Sequence, residues 1–232
     1  MPSTTPTIKG ISSMATRQVL AELVTAFEQQ SGYMVAIEAV GGVDAAKRVQ
    51  AGEAFDVVVL ASDAIDKLMA AGHLLAGSKL DLVRSGVAMA VRAGAPLPDI
   101  SSEDAVKRAV LAAPSISCST GPSGVALAKL FEHWGISSEI EGRMVQAPPG
   151  VPVGALVARG EVALGFQQLS ELLHVEGITI VGPLPPAIQI ITTFSAAIHQ
   201  GSAQADRVRA MLDSMCSPQA DEAKKRQGMD PA

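Results

Sequence analysis

Residues 117–124, Ser-Cys-Ser-Thr-Gly-Pro-Ser-Gly, open onto the apolar run 125–131, Val-Ala-Leu-Ala-Lys-Leu-Phe. The spacing reads as a strand end, a turn of hydroxyls and glycine, and the first turn of a helix. Such a turn leaves backbone N–H groups unpaired at a helix N-terminus, where the dipole adds positive potential, and an anion can be held there. Ser119, Thr120 and Ser123 are its candidate donors. Similar turns recur: Ser12-Ser13 before an apolar helix, Gly41-Gly42 before Val43-Asp44, Ala61-Ser62-Asp63, and the proline turn 146–154 containing Val151-Pro152. Serine in these positions either caps the helix alone or caps it and also donates to a ligand; both readings stay open. Paired glycines let a backbone approach a ligand closely, or simply make a tight turn. The chemistry implied is capture of one small anion by several such turns.

The elements that must position these turns follow from periodicity. Strand 7–12 leads into a helix carrying Val19, Leu20, Leu23, Val24 and Phe27; strand 35–40 leads to Gly41-Gly42 and a helix over 45–51; the near-continuous apolar strand 55–60 leads to Ser62 and a helix with Ile65, Leu68 and Met69. Strand-turn-helix units in succession predict an α/β fold with right-handed crossovers, and ligands of such sheets lie outside the carboxyl ends of the strands. The run 80–93 is long for a strand and carries Arg84 and Gly86 in its middle, so it can serve two lobes in succession. Beyond it come a capped helix over 101–109, the turn 117–124 with a helix to Trp134, a helix over 155–159, a strand over 162–168 ending in Gln167-Gln168, a strand from 178 with a proline-rich connector to 186, a β-prone run over 189–197 and closing helices.

Composition excludes several classes. The 232 residues are 48% hydrophobic and 18% charged, which fits a well-filled interior and not a disordered chain. Lys and Arg number 18 against 23 Asp and Glu, a net charge of −5, with no basic run that would mark a nucleic-acid or lipid surface. Apolar runs are strand-length, so no membrane insertion is expected. Cys118 and Cys216 lack metal-like spacing and read as small buried hydrophobes; no metal site or cofactor motif is expected. Residues 1–7, Met-Pro-Ser-Thr-Thr-Pro-Thr, carry neither a basic n-region nor an apolar h-region, which implies a cytoplasmic protein if this start is native and a periplasmic one if an export signal has been removed.

The order of these motifs resembles the molybdate-type group of type 2 periplasmic solute-binding proteins. The residues that carry the resemblance are Ser12-Ser13, the run 52–57 leading to Ala61-Ser62-Asp63, the turn 121–124, the run 159–166 (Arg-Gly-Glu-Val-Ala-Leu-Gly-Phe) and the closing 217–220. The resemblance implies two α/β lobes, residues 1–84 plus 190–232 and residues 85–189, joined by two crossing strands that act as a hinge, with a ligand in the cleft between them. It assigns Ser12, Ser13, Gly41, Gly42 and Ser62 to one wall, and Ser119, Thr120, Ser123, Val151, Pro152 and Gln167 to the other. An ABC permease is the implied partner of an exported protein.

This chain departs from the pattern at Gln167-Gln168, where the molybdate binders carry a tyrosine, and at Gly41-Gly42, where a ligand-contacting serine is expected. Both departures favour a larger, planar carboxylate over a tetrahedral oxyanion. Arg84 adds a guanidinium that pairs with a carboxylate, or else forms a surface ion pair. The phrases 165–168 and 181–186 are similar to a subgroup that resembles aconitate isomerase, an enzyme that would move a proton across an allylic tricarboxylate. The expected function is therefore binding of a di- or tricarboxylate or oxyanion, the alternatives being cofactor-independent isomerisation and molybdate or tungstate binding for an importer. No base stands out for the isomerase: His73, His133, His174 and His199 lie away from the turns, and Asp44 and Asp63 sit where they flank helices.

Overall fold

The computed structural model describes residues 7–148 and 150–232. The leader reading on residues 1–6 and the place of Pro149 in the proline turn lie outside the described residues. The chain divides into two compact units, Met1–Arg84 with Thr193–Ala232, and Ser85–Thr192.

The first unit opens with β1 (Ile8–Ser13), a 3-10 turn over Met14–Thr16 and α1 (Arg17–Ser31). Val19, Leu20, Leu23 and Phe27 bury one stripe of α1, which ends where Gly32 turns left-handed at φ 71°. Next come β2 (Val35–Val40), α2 (Gly42–Gln50), β3 (Val57–Ala61), α3 (Ser62–Ala70) and β4 (Leu80–Arg92). β1 pairs in parallel with both β2 and β3. Every residue of β3 is buried, and its side chains alternate: Val57, Val59 and Ala61 join a core with α1, while Val58 and Leu60 join another with Ala45, Val49, Ile65 and Leu68. A strand covered on both faces has no polar side, which is why its sequence is an unbroken apolar run.

The second unit contains the remainder of β4, then α4 (Glu103–Ala112), β5 (Ile116–Cys118), α5 (Pro122–His133), α6 (Ser137–Ile140), α7 (Val153–Arg159), β6 (Leu164–Gln168), α8 (Leu169–Leu172) and β7 (Ile178–Pro183). β5 runs parallel to β6, and β4 pairs antiparallel with both β6 and β7. Its core gathers Val87, Met89 and Val91 of β4 with Leu127, Phe131, Leu164 and Phe166.

The chain then returns through β8 (Ile191–Ile198), antiparallel to β3, and closes the first unit with α9 (Ala205–Met215), α10 (Asp221–Arg226) and the two-residue β9 (Asp230–Pro231), which pairs with Val83 and Arg84. Both β4 and β8 thus continue from one unit into the other. Among the described residues no helix is long and apolar enough to cross a membrane.

Two boundaries differ from the sequence expectation in a way that matters for the turns. α2 begins at Gly42 instead of residue 45, and α7 at Val153 instead of 155, so Gly42 and Val153 are themselves first-turn residues. Glycine and valine score poorly as helix formers, but the first turn needs no such propensity because its N–H groups have no intrahelical partner. α6 and β9 are too short to show a period and were not expected.

Candidate functional site

In the first unit the parallel register sets Ser12 beside Ala39 and Val59, and Ser13 beside Val40, so three carboxyl ends coincide. Ser12 is fully buried, and its hydroxyl makes only a long contact, 3.5 Å, to the Glu38 carbonyl. Ser13 accepts from Ala15 N at 3.4 Å while its carbonyl takes the Thr16 hydroxyl at 2.9 Å, so its cap of the 3-10 turn is weak. Ser13 Oγ lies 3.6 Å from where a Cβ on Gly42 would be, which brings Ser13 and Gly42 together. The helices that follow, α2 from Gly41 and α3 from Ala61, have no side-chain cap. Ser62 is the first residue of α3. Each of these helix starts lacks a side-chain cap but carries an acidic residue, Asp44 or Asp63, in its first turn.

In the second unit Cys118 pairs in register with Phe166, so Ser119 leaves the sheet beside Gln167, which still pairs with Ala88 of β4. Ser119 Oγ and Ser123 Oγ share a hydrogen bond of 3.0 Å, Ser123 is buried, and Thr120 is exposed on the turn. α5 starts at Pro122 from Gly121, again without a side-chain cap. The turn doubles back so tightly that a Cβ on Gly124 would stand 1.5 Å from the Ser119 carbonyl oxygen; only glycine fits. A Cβ on Gly165 would meet Val157 at 2.6 Å and Val153 at 2.9 Å, so that glycine lets α7 lie down on β6. Val151 and Pro152 lead into α7, with Pro152 as its cap residue.

Gln167 holds the start of α7. Its Oε1 accepts from Gly154 N at 3.1 Å, and its Nε2 donates to Glu171 Oε1 at 2.9 Å. Burial pushes the Glu171 carboxyl up to about 7 against the pull of the Gln167 amide. Gln168, on the opposite face of the strand, donates to the Thr192 hydroxyl at 2.8 Å while its own Oε1 is buried without a partner among the described residues. Glu171 and the Gln168–Thr192 pair were missed in the sequence. The Gln167–Glu171 spacing of four residues was the available signal.

Arg84 is placed otherwise than expected. Its Nη2 donates to the Pro231 carbonyl at 2.9 Å, tying β4 to the C-terminal strand. That contact is with the chain itself, and no ion pair of Arg84 is present among the described residues. Likewise, Gln167 spends one acceptor and one donor on its own unit. His199 lies at the other end of β3, where its backbone N–H meets Asp56 O, and burial lowers its pKa. Burial also raises the Cys118 thiol. Among the described residues no group of three or more His, Cys, Asp or Glu is placed to hold a metal ion.

An α/β chain with hydroxyl-rich helix starts at its strand ends has the build of an anion receptor, and the chain belongs to the bacterial extracellular solute-binding protein family, whose profile matches residues 8–230. It is similar to a Pseudomonas sp protein named aconitate isomerase, with 40% identity over 238 residues, 99% of this chain and 89% of the relative. Among solved structures it resembles the periplasmic molybdate-binding protein of Azotobacter vinelandii, with a TM-score of 0.80 at 22% identity over 97% of this chain and 99% of that one. The tungstate-binding protein of Desulfovibrio alaskensis G20 gives 0.71 at 17% identity over 98% and 99%. The chain has the mixed α/β fold of these molybdate-type periplasmic binding proteins.

Proposed function

We propose that this protein binds a small polycarboxylate of the aconitate class. The observation that carries the reading is the set of helix starts without side-chain caps, α2, α3 and α5, each at the carboxyl end of a strand and each supplied with serine or glycine. The candidate contact residues are Ser12, Ser13, Gly41, Gly42 and Ser62 of the first unit and Ser119, Thr120, Ser123, Val151 and Pro152 of the second. Amide N–H and hydroxyl groups suit a carboxylate because each oxygen accepts several donors. Arg84 stays out of this set because its side chain lies along the C-terminal strand, with Nη2 donating to the Pro231 carbonyl. Gln167 supports the set by holding Gly154. The 40% identical relative named aconitate isomerase favours a carboxylate over molybdate or tungstate. Membership of an extracellular solute-binding family supports export, with an ABC permease as the partner.

Calorimetric titration with trans-aconitate, cis-aconitate, citrate and molybdate tests this. Aconitate is expected to bind and molybdate to bind far more weakly, and the reverse order overturns the carboxylate reading. Ser123→Ala is expected to weaken aconitate by about 1 kcal/mol, roughly five-fold, if its hydroxyl donates to the ligand; unchanged affinity makes it the partner of Ser119 alone. The second reading, isomerisation of the bound aconitate, is favoured by the name of that relative and by the one carboxyl described next.

A further inference from the structure

Glu171 follows the carboxyl end of β6 by three residues, in the second unit, where Ser119 leaves the sheet beside Gln167. Its position is fixed by a chain of two hydrogen bonds, Gly154 N–H to Gln167 Oε1 at 3.1 Å and Gln167 Nε2 to Glu171 Oε1 at 2.9 Å. The Gln167 amide cannot turn over without losing both, so it always presents N–H to the carboxyl. The segment after α8 closes on the start of α7: a Cβ on Gly154 would meet Val175 at 3.0 Å and Leu172 at 3.2 Å. The first turn of α7 and the Glu171 carboxyl are therefore parts of one packed cluster.

Among the described residues no Lys or Arg forms an ion pair with this carboxyl. α7 carries one charged residue, Arg159, paired with Glu161 at 2.5 Å; β6 and β7 carry none, α8 carries only Glu171, and His174 and Glu176 follow on the loop. A carboxylate kept for structure is ordinarily held by Arg, Lys or several N–H groups. Among the described residues Glu171 accepts from one amide, at Oε1, which leaves its second oxygen for another partner. Its pKa of about 7 suits a group that must both take and return a proton near neutrality.

We infer that Glu171 is the proton-transfer group of an allylic shift on a bound aconitate-class tricarboxylate. This rests on the carboxylate-binding reading above. Ionised Glu171 removes a proton from the ligand's methylene carbon. The C–H electron pair becomes a new double bond to the central carbon, and the old double-bond pair moves onto the conjugated terminal carboxylate as a dienolate. Glu171 then returns the proton to the former vinylic carbon, and the dienolate pair forms that C–H bond. The double bond has moved by one position, Glu171 is ionised again, and no oxidant, reductant or second reactant is used.

The test follows cis- and trans-aconitate by proton NMR in D2O with the wild-type chain, Glu171→Gln and Glu171→Asp, alongside calorimetry with trans-aconitate. The wild type is expected to interconvert the isomers and to wash deuterium into the ligand. Glu171→Gln is expected to bind trans-aconitate within about three-fold of wild type and to lose about 100-fold or more in kcat. Glu171→Asp, which keeps the carboxyl but draws it back by one methylene, is expected to lose kcat with little change in affinity, and it serves if the glutamine variant does not fold. Turnover by either folded variant within about three-fold of wild type overturns the proposal. So does a wild-type chain that binds trans-aconitate with neither turnover nor exchange, an outcome that leaves the binding reading standing. Absence of carboxylate binding by the wild type overturns both.

Discussion

At the scale of single residues, a carboxyl without a cation loses free energy on ionising, and Glu171 carries that cost in the native state. Its folded pKa, raised by burial from 4.5 to about 7, lies above the unfolded value. Between these two values the unfolded chain has already released the proton that the native chain still holds. The native state binds more protons there, so stability falls as pH rises through the window; it is intact below 4.5 and fully lost above 7. The loss is at most about 3 kcal/mol, and smaller to the extent that water reaches the carboxyl. Glu171→Gln lacks the titration. Urea midpoints of the two proteins measured across this window are expected to diverge in favour of the variant as pH rises and then to run parallel above neutrality. Curves parallel throughout would mean a carboxyl already hydrated in the folded protein. The sequence hides this residue because Gln167 and Glu171, four apart, look like any solvated pair, and their burial depends on α7 arriving from residues 153–159. Arg84 misleads in the opposite direction: a charge in the middle of a strand suggests a ligand, but its carbonyl partner comes from Pro231, at the far end of the chain.

At the scale of elements, the turn before α5 depends on a close approach that only glycine allows, and Gly165 admits α7 in the same way. Gly124 is the sharpest case, with the Ser119 carbonyl 1.5 Å from the place of its missing Cβ. Gly124→Ala must push residues 119–121 outward, breaking the Ser119–Ser123 contact of 3.0 Å and splaying the start of α5. A destabilisation of about 2–3 kcal/mol is expected from urea unfolding, the upper range for overpacking, with loss of aconitate affinity beyond that of Ser123→Ala. A variant with wild-type midpoint and affinity would show that the turn relaxes freely. These turns were legible beforehand because hydroxyl and glycine clusters between apolar runs have local causes: capping, the left-handed backbone, the end of a period. The parallel strands were legible for the same reason, since Val57–Ala61 is apolar on both faces. What local pattern does not contain is the partner of each turn. Gln167 caps α7 from thirteen residues away, and β9 finds β4 across most of the chain.

At the scale of the whole molecule, the family is legible in the order of motifs along the chain. The net charge of −5 adds a constraint that no single turn reveals. A polycarboxylate approaches a protein of its own sign, and no basic run offsets the repulsion. If the ligand is held by neutral N–H and O–H donors, salt screens the long-range repulsion and leaves the short hydrogen bonds almost untouched, because the Debye length falls from about 30 Å at 0.01 M to about 8 Å at 0.15 M. Affinity for trans-aconitate is then expected to tighten about two-fold over that range of ionic strength, with the gain in the association rate. A receptor that gripped its ligand with arginine or lysine would weaken instead, since salt would screen an attraction. Calorimetry and stopped-flow binding at both ionic strengths separate the two cases. A steady loss of affinity with salt would place a cationic side chain on the ligand, and Arg84, released from the Pro231 carbonyl, would be the first to replace.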